Sequence, residues 1–82
     1  MTFSEWAAHH FGAEVRARRL ATGHSQRWLA NQLGLHREIV SRTERGDHVP
    51  SLETVERYAR VFGCTALDML RWIDSAPVRG AA

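Results

Sequence analysis

The chain is poor in several features that define other classes of protein. It has a single cysteine, Cys64, so it can form neither an intrachain disulfide nor a cage of cysteine ligands around a metal. No run approaches the roughly 18 apolar residues of a membrane span, and no apolar stretch after a basic start indicates a secretory signal. We therefore expect no membrane partner, and the scarcity of cysteine favours a cytoplasmic location.

Residue patterns for enzyme chemistry are also missing. The histidines are scattered along the chain, and the adjacent His9 and His10 point to different sides of a helix. No pair of catalytic acids, no nucleophile beside a base and no glycine-rich phosphate loop is visible. The 82 residues leave no room for a separate cofactor domain. The sequence predicts no catalytic site, no metal site and no cofactor.

Lysine is absent, and the arginines are unevenly distributed. All 11 basic residues are arginines, and the formal net charge is +2. Seven of them lie between Arg16 and Arg45, where the only acids are Glu38 and Glu44. This local surplus of positive charge would attract a polyanion such as nucleic acid. A solvated helical surface rich in arginine is the alternative reading.

Turn-forming residues divide the chain into helices, and no run alternates as a strand would. The predicted helices span about residues 5–21, 26–32, 37–45, 52–62 and 66–73. Serines stand at three of the N-cap positions, Ser4, Ser25 and Ser51. Thr65 and Asp68 have the spacing of a capping box before the last helix. Gly12 leaves open whether residues 4–10 join the first helix.

Apolar residues at helical spacing give the predicted core. Its members are Phe11, Val15, Leu20, Leu29, Ala30, Leu33, Leu35, Val40, Leu52, Val55, Tyr58, Ala59, Phe62, Leu67, Leu70 and Ile73. We expect Cys64 to pack as a small apolar residue. Trp28 is either covered by the N-terminal segment with Phe3, Trp6 and Phe11 or part of an interface.

Residues 25–46 (SQRWLANQLGLHREIVSRTERG) carry the most informative spacing. Two short helices that meet at a sharp angle need a small residue at their closest approach, and Ala30 supplies it. The turn between them needs a residue that tolerates positive φ, which is Gly34. Val40 is placed to point back into the first helix. This is the geometry of a helix-turn-helix, whose second helix lies in the DNA major groove.

On these residues the chain resembles the helix-turn-helix domain of the phage repressor and Cro group, also called the XRE family. The shared elements are Arg19, Ser25-Gln26, Leu29-Ala30, Leu33-Gly34, Ser41, Glu44-Arg45-Gly46, Pro50-Ser51-Leu52 and Leu67. The resemblance covers residues 11–70. It implies an all-α, five-helix, lambda-repressor-like domain that binds double-stranded operator DNA, usually as a homodimer. We expect a helical N-terminal extension over 1–10, the DNA-binding domain over 11–73 and a flexible tail over 74–82.

The resemblance places the DNA-reading residues at the start and outer face of the third helix. The predicted base-reading residues are His36, Arg37, Glu38, Ser41 and Arg42. Arginine can bond guanine bidentately and glutamate can accept from cytosine. Glu38 and Arg42 could instead form a surface ion pair, since they lie four residues apart. Ser41 could bind a phosphate or a base or merely pack, and His36 could reach DNA or be a plain surface residue.

Phosphate contacts are expected on either side of this helix. The predicted residues are Gln26, Arg27, Arg45, Gly46 and His48, Gln26 being otherwise an ordinary surface residue. Asp47 departs from the basic residue usual in the family and would repel phosphate. Ile39 and Thr43 also depart from the pattern: Ile39 could touch a thymine methyl or fill a gap, and Thr43 could leave a thin seam or one filled by Trp28.

Two further predictions concern structure and assembly. The resemblance pairs Arg19 with Glu44 in an internal salt bridge that fixes the third helix. Leu70, Trp72 and Ile73 are the candidate dimer surface. The predicted function is that of a sequence-specific regulator, most simply a repressor on a near-palindromic operator with half-sites about 34 Å apart. The alternative is an antitoxin that binds a toxin, or another partner protein, and represses its own operon.

Overall fold

The computed structural model describes residues 2–74, which form five α-helices and no strand. The helices are α1 (Phe3–Ala21), α2 (Gln26–Leu33), α3 (Arg37–Glu44), α4 (Leu52–Phe62) and α5 (Ala66–Asp74). The predicted all-α, five-helix fold is confirmed. None of these five helices is long and apolar enough to cross a bilayer. Of the predicted tail, Asp74 closes α5, and residues 75–82 lie outside the described part of the chain.

The start of α1 differs from the prediction. Thr2, not Ser4, is the N-cap: its hydroxyl accepts from the amide of Glu5 at 3.1 Å, and the Glu5 carboxylate accepts from the amide of Thr2 at 3.3 Å. This reciprocal capping box satisfies two amide donors at once, whereas Ser4 has no acid three residues later. The helix then continues without interruption through Gly12. Residues 3–10 of the predicted extension and the first predicted helix therefore form one helix.

Gly12 is required by packing between helices. A Cβ atom at this position would lie 1.9 Å from the backbone oxygen of Thr43, so α1 and α3 touch backbone to backbone. Thr43 is buried, and its hydroxyl donates to the carbonyl of Ile39 at 2.8 Å. The seam at Thr43 is therefore closed by the approach of α1 and needs no large apolar side chain. Of the two alternatives given for this seam, a thin seam or one filled by Trp28, the close approach of α1 fits the first.

Local capping signals set the starts of α2, α4 and α5 as predicted. The hydroxyls of Ser25 and Ser51 accept from the amides of Trp28 and Thr54 at 3.0 and 3.2 Å. Thr65 and Asp68 form both bonds of their capping box, at 3.0 and 3.1 Å. These bonds to Thr65 lower the pKa of the Asp68 carboxyl. The first amides of a helix have no acceptor within the helix. In each of these helices at least one of them is therefore bonded by a capping side chain.

The core is made by all five helices. Its buried members are Phe11, Val15, Leu29, Ala30, Leu33, Val40, Val55, Tyr58, Ala59 and Met69, with Trp28, Leu35, Val61, Phe62, Cys64, Ala66, Trp72 and Ile73 packed against them. Phe11 and Tyr58 meet edge to face with their centroids 5.5 Å apart. Burial raises the pKa of the Tyr58 phenol. Burial likewise raises the pKa of the Cys64 thiol, which packs as an apolar residue.

Four leucines predicted to be core residues lie at the surface. Leu20, Leu52, Leu67 and Leu70 are 50%, 76%, 59% and 39% exposed. In α5 the fully buried side chain is Met69, so the inward face of this helix is rotated from the predicted one. In α4 the buried residues begin at Val55, and Leu52 stands one turn before them. The prediction of core membership was wrong for these four residues.

Candidate nucleic-acid interface

Helices α2 and α3 form the predicted helix-turn-helix. Gly34 closes α2 in the left-handed conformation at φ 70°, and Leu35 donates its amide to the carbonyl of Ala30 at 3.0 Å. Ala30 and Val40 are buried at the contact between the two helices. Because Val40, Thr43 and Glu44 face inward, the opposite side of α3 is turned to solvent. This side carries the predicted base-reading residues.

A buried ion pair holds the end of α3 against α1. Arg19 donates through Nε to Glu44 Oε2 at 2.7 Å and through Nη2 to Glu44 Oε1 at 2.9 Å. Its third donor, Nη1, reaches the carbonyl of His24 at 2.9 Å. The hydrogen bonds to Glu44 raise the pKa of the Arg19 guanidinium. Three elements, α1, α3 and the loop before α2, are joined at one guanidinium.

Gln26 connects this ion pair to the solvent-facing side of α3, which we call the reading face because it carries the predicted base-reading residues. Its Nε2 donates to Glu44 Oε1 at 3.1 Å, and its Oε1 accepts from Arg37 Nη1 at 3.2 Å. The amide thus stands between the buried carboxylate and the exposed guanidinium of Arg37. The sequence prediction for Gln26 was a phosphate contact. Its partners lie 18 and 11 residues away, so no local pattern identifies the connection.

Arg45 contacts the outer face of α3. Its Nη1 donates to Ser41 Oγ at 2.7 Å, its Nε donates to Asp47 Oδ2 at 3.3 Å, and its Nη2 lies 3.9 Å from Glu38 Oε1. The surface ion pair between Glu38 and Arg42, the alternative to base reading, is not formed, since Glu38 faces Arg45 instead. Within the described residues Arg42 has no acidic partner, so its exposed guanidinium is available to a ligand.

Of the remaining residues predicted to contact DNA, some are exposed and one already has a hydrogen-bond partner within the protein. His36 is the exposed N-cap of α3 and makes no side-chain cap bond, and Arg27 is exposed on α2. His48 is half-buried. The Gly46 amide donates to the carbonyl of Thr43 at 3.0 Å. Gly46 therefore has no free amide for the phosphate contact predicted there.

Gly46 and Asp47 together end α3. The Asp47 amide donates to the carbonyl of Arg42 at 2.9 Å, while Gly46 has φ 80°. This is the bonding pattern of a glycine-terminated helix. The expectation that amides of this loop bind phosphate is corrected for these two residues, because both amides already have backbone partners. A phosphate contact here would therefore use neither of these amides, and Arg45 at the end of α3 is the neighbouring cationic side chain.

Trp28 and Trp72 each pack against other side chains of the chain. Trp28 stacks on His24 with ring centroids 3.5 Å apart and packs against the buried core. The ring of Trp72 lies 6.4 Å from that of Phe62, with the Arg18 guanidinium 3.8 Å from its centroid. Trp72 is not among the described residues that line the surface shared by the other two candidates.

Leu70 and Ile73 line an apolar groove of ≈ 380 Å³ between α1, α4 and α5. We use "apolar groove" for this surface, whose most exposed walls are Phe3, Val49, Leu52 and Leu70. None of the described residues that line it is charged. The groove was not predicted, because Phe3 and Leu70 meet only when α1 runs unbroken past Gly12.

Comparisons with known proteins agree with this geometry. The helix-turn-helix domain family matches residues 10–72 of the chain. Control protein C.BamHI of Bacillus amyloliquefaciens is 38% identical over 61 residues, which cover 73% of this chain and 75% of that protein. Among solved structures, the clp gene regulator ClgR from Corynebacterium glutamicum has a TM-score of 0.75 at 25% identity, covering 83% of this chain and 72% of that one.

A second structural neighbour is similar. A hypothetical transcription factor, NHTF, from Neisseria has a TM-score of 0.70 at 33% identity, covering 77% of this chain and 72% of its own. The family match spans most of the chain and includes α2, the turn and α3. The chain belongs to the helix-turn-helix family of DNA-binding transcriptional regulators.

Proposed function

We propose that this protein is a cytoplasmic repressor that recognises a specific double-stranded operator by placing α3 in the major groove. The observation that carries the proposal is the contrast between the two sides of α3. One side is fixed by Val40, Thr43 and the buried Glu44, and the other presents Arg37 and Arg42 to solvent. A rigid, exposed helix with arginines outermost suits direct readout of base edges.

The proposed contacts fall into two classes. Arg37 and Arg42 would bond guanine bidentately, Glu38 would accept from cytosine, and Ser41 and His36 would contact neighbouring edges. Arg27, Arg45 and His48 would hold the sugar-phosphate backbone. Gln26 is half-buried, with both ends of its amide already bonded to Glu44 and Arg37. Its proposed role therefore includes orienting Arg37 as well as meeting a phosphate.

Replacing Arg37 or Arg42 with alanine tests the proposal. The operator is first selected from random duplexes, and the affinities for operator and random DNA are then measured by titration. We expect each variant to lose about 1–3 kcal/mol of discrimination between the two DNAs, because a bidentate base contact is lost. The wild-type affinity should also fall with salt by about 0.9 log unit per phosphate contact for each log unit of salt.

Arg60→Ala provides the matched control, since Arg60 is exposed on α4 and bonds only Glu56 among the described residues. It should leave the discrimination unchanged. An equal loss of affinity on operator and random DNA for the Arg37 and Arg42 variants would assign these residues to the backbone instead. Failure to select any duplex sequence would contradict the proposed function.

We also propose that the protein acts as a homodimer in which the apolar groove packs against the same groove of a second copy. A twofold interface brings identical surfaces together, so a charged surface would repel itself. This groove is lined only by uncharged described residues and exposes Phe3 and Leu52 to 75% and 76%. The proposal retains Leu70 and Ile73 from the predicted dimer surface and leaves out Trp72.

Leu52→Glu is expected to make the protein monomeric without unfolding it. The substitution introduces one carboxylate from each copy into the proposed apolar interface, while the exposed Leu52 side chain contributes little to the core. Sedimentation at high micromolar concentration measures the state, and circular dichroism checks the fold. Leu20→Glu, at an exposed leucine outside the groove, should remain dimeric. A monomeric wild type would contradict the dimer, and stable co-purification with an unrelated small protein would favour the antitoxin alternative.

A further inference from the structure

The first turns of α1 lie outside the part of the chain that matches the helix-turn-helix family. The match begins at residue 10, whereas α1 begins at Phe3. This segment nevertheless forms one wall of the apolar groove, to which it contributes Phe3, Ser4, Ala7 and Ala8. The other walls come mainly from α4, α5 and the connection before α4, all within the matched residues. The groove therefore combines the family's domain with the segment that precedes it.

Phe3 is presented to solvent by a backbone that is already fixed. It is 75% exposed, yet it is the first residue of α1. The capping box of Thr2 and Glu5 holds the start of this helix, and the centroid of the Trp6 ring lies 5.8 Å from that of Phe3. An interface that covers Phe3 therefore restricts little beyond the torsions of one side chain, which keeps the ordering cost of association low. Aromatic side chains of this kind dominate the binding energy of interfaces.

The groove can receive such a ring. Its volume is ≈ 380 Å³, and a cavity of about 150 Å³ is enough to hold benzene. Ser4, Ala7 and Ala8 are small, so the wall formed by α1 leaves space beside it. None of the described lining residues is charged, so an apolar side chain enters without desolvating an ion. Because Phe3 and the small residues belong to one segment, a partner with the same segment offers both the ring and the wall that receives it.

We infer that Phe3 of each copy packs into the apolar groove of the other and is the anchor of the homodimer. The inference deepens the proposed function and rests on the proposed homodimer. A twofold axis makes the exchange reciprocal, so a pair of identical chains buries two phenylalanine rings, and a pair with only one Phe3 buries one. The groove thus selects a second copy of this chain over a regulator that has only the matched domain.

Phe3→Ala is expected to raise the dissociation constant of the dimer at least about 100-fold, because two buried rings are lost from each dimer. Sedimentation equilibrium measures this constant, and a mixture with the wild type should give a mixed dimer of intermediate affinity. Circular dichroism should show an unchanged helix content, because the exposed side chain contributes little to the core. Leu67→Ala is the matched control: Leu67 is 59% exposed on α5 and does not line the groove, so the constant should not change.

Leu52→Ala separates the anchor from the rest of the groove. Leu52 lines the groove from α4 and is as exposed as Phe3, at 76%. Its truncation should raise the dissociation constant less than Phe3→Ala does. If Phe3→Ala has an equal or smaller effect while the wild type is dimeric, the inference is wrong and the proposed homodimer and DNA recognition stand. A monomeric wild type would overturn the inference together with the homodimer, whereas operator selection tests DNA recognition separately.

A direct measurement locates the ring. In dimers formed from isotope-labelled and unlabelled copies, filtered NMR experiments should place the Phe3 ring of one copy near the methyl group of Ala7 of the partner subunit. Intermolecular signals confined to Leu52, Leu70 and Ile73 would overturn the inference, because Phe3 would then lie outside the interface. Phe3→Ala at a concentration where it is monomeric supplies the reference spectrum without intermolecular signals.

Discussion

Replacing Arg19 with alanine is expected to lower the free energy of unfolding by about 3–5 kcal/mol. The substitution leaves the Glu44 carboxylate, whose side chain is 2% exposed, without its cation. It also removes the bond to the His24 carbonyl that ties the loop before α2 to α1. An uncompensated buried charge costs more than the pair contributes, which makes this a large effect for a domain of this size.

Thermal and urea denaturation measure this effect. In a domain of this length each kcal/mol moves the melting temperature by about 4–8 °C, so the loss is easily resolved. Arg16→Ala, at an exposed arginine one turn earlier on α1, should change the stability little. Arg19→Lys should recover part of the loss, because an ammonium keeps the charge but not the bidentate geometry. An unchanged melting temperature for Arg19→Ala would show that the pair does not hold α3.

Gly12→Ala should destabilise the fold even though alanine is the better helix former. Intrinsic propensity favours alanine over glycine by about 1 kcal/mol at an exposed helical position. Here the new Cβ would lie 1.9 Å from the backbone oxygen of Thr43, and a backbone atom cannot move aside as a side chain can. We expect a net loss of about 3 kcal/mol, at the upper end of the cost of overpacking a core.

Ala17→Gly, at an exposed position on the same helix, is the comparison for Gly12→Ala. It should cost only about 0.5–1 kcal/mol, the effect of glycine on a helix alone. Chemical denaturation of both variants separates packing from propensity. A Gly12→Ala protein more stable than the wild type would mean that α1 and α3 are farther apart than the backbone contact requires.

Local signals predicted much of the fold. Helix-capping signals act within four residues, so the sequence alone identifies them. They are Ser25, Gly34, Ser51 and the pair formed by Thr65 and Asp68. The start of α1 was assigned to Ser4 because a serine is a good cap. Thr2 has the stronger signal, since it alone has an acid three residues later.

Other features depend on how helices meet and have no local signal. Leu67 and Met69 are both apolar, and only the packing of α5 decides that Met69 is buried and Leu67 exposed. The reading face was predicted as a set of residues, but its internal contacts were not. Gln26 bridges groups distant in sequence, and Arg45 reaches Glu38 across two helical turns. The contacts of Gln26 follow from tertiary structure, whereas that of Arg45 depends on the side-chain conformation along a single helix.

The uninterrupted α1 also constrains how this protein can change in length. One helix of 19 residues carries Phe3 of the apolar groove near one end and Arg19 near the other. Since each residue turns a helix by about 100°, an insertion or deletion between them would swing one end out of register with the other. A change of one or a few residues in the length of this segment is therefore expected to destabilise the fold, and length variation is expected in the 47–50 connection instead.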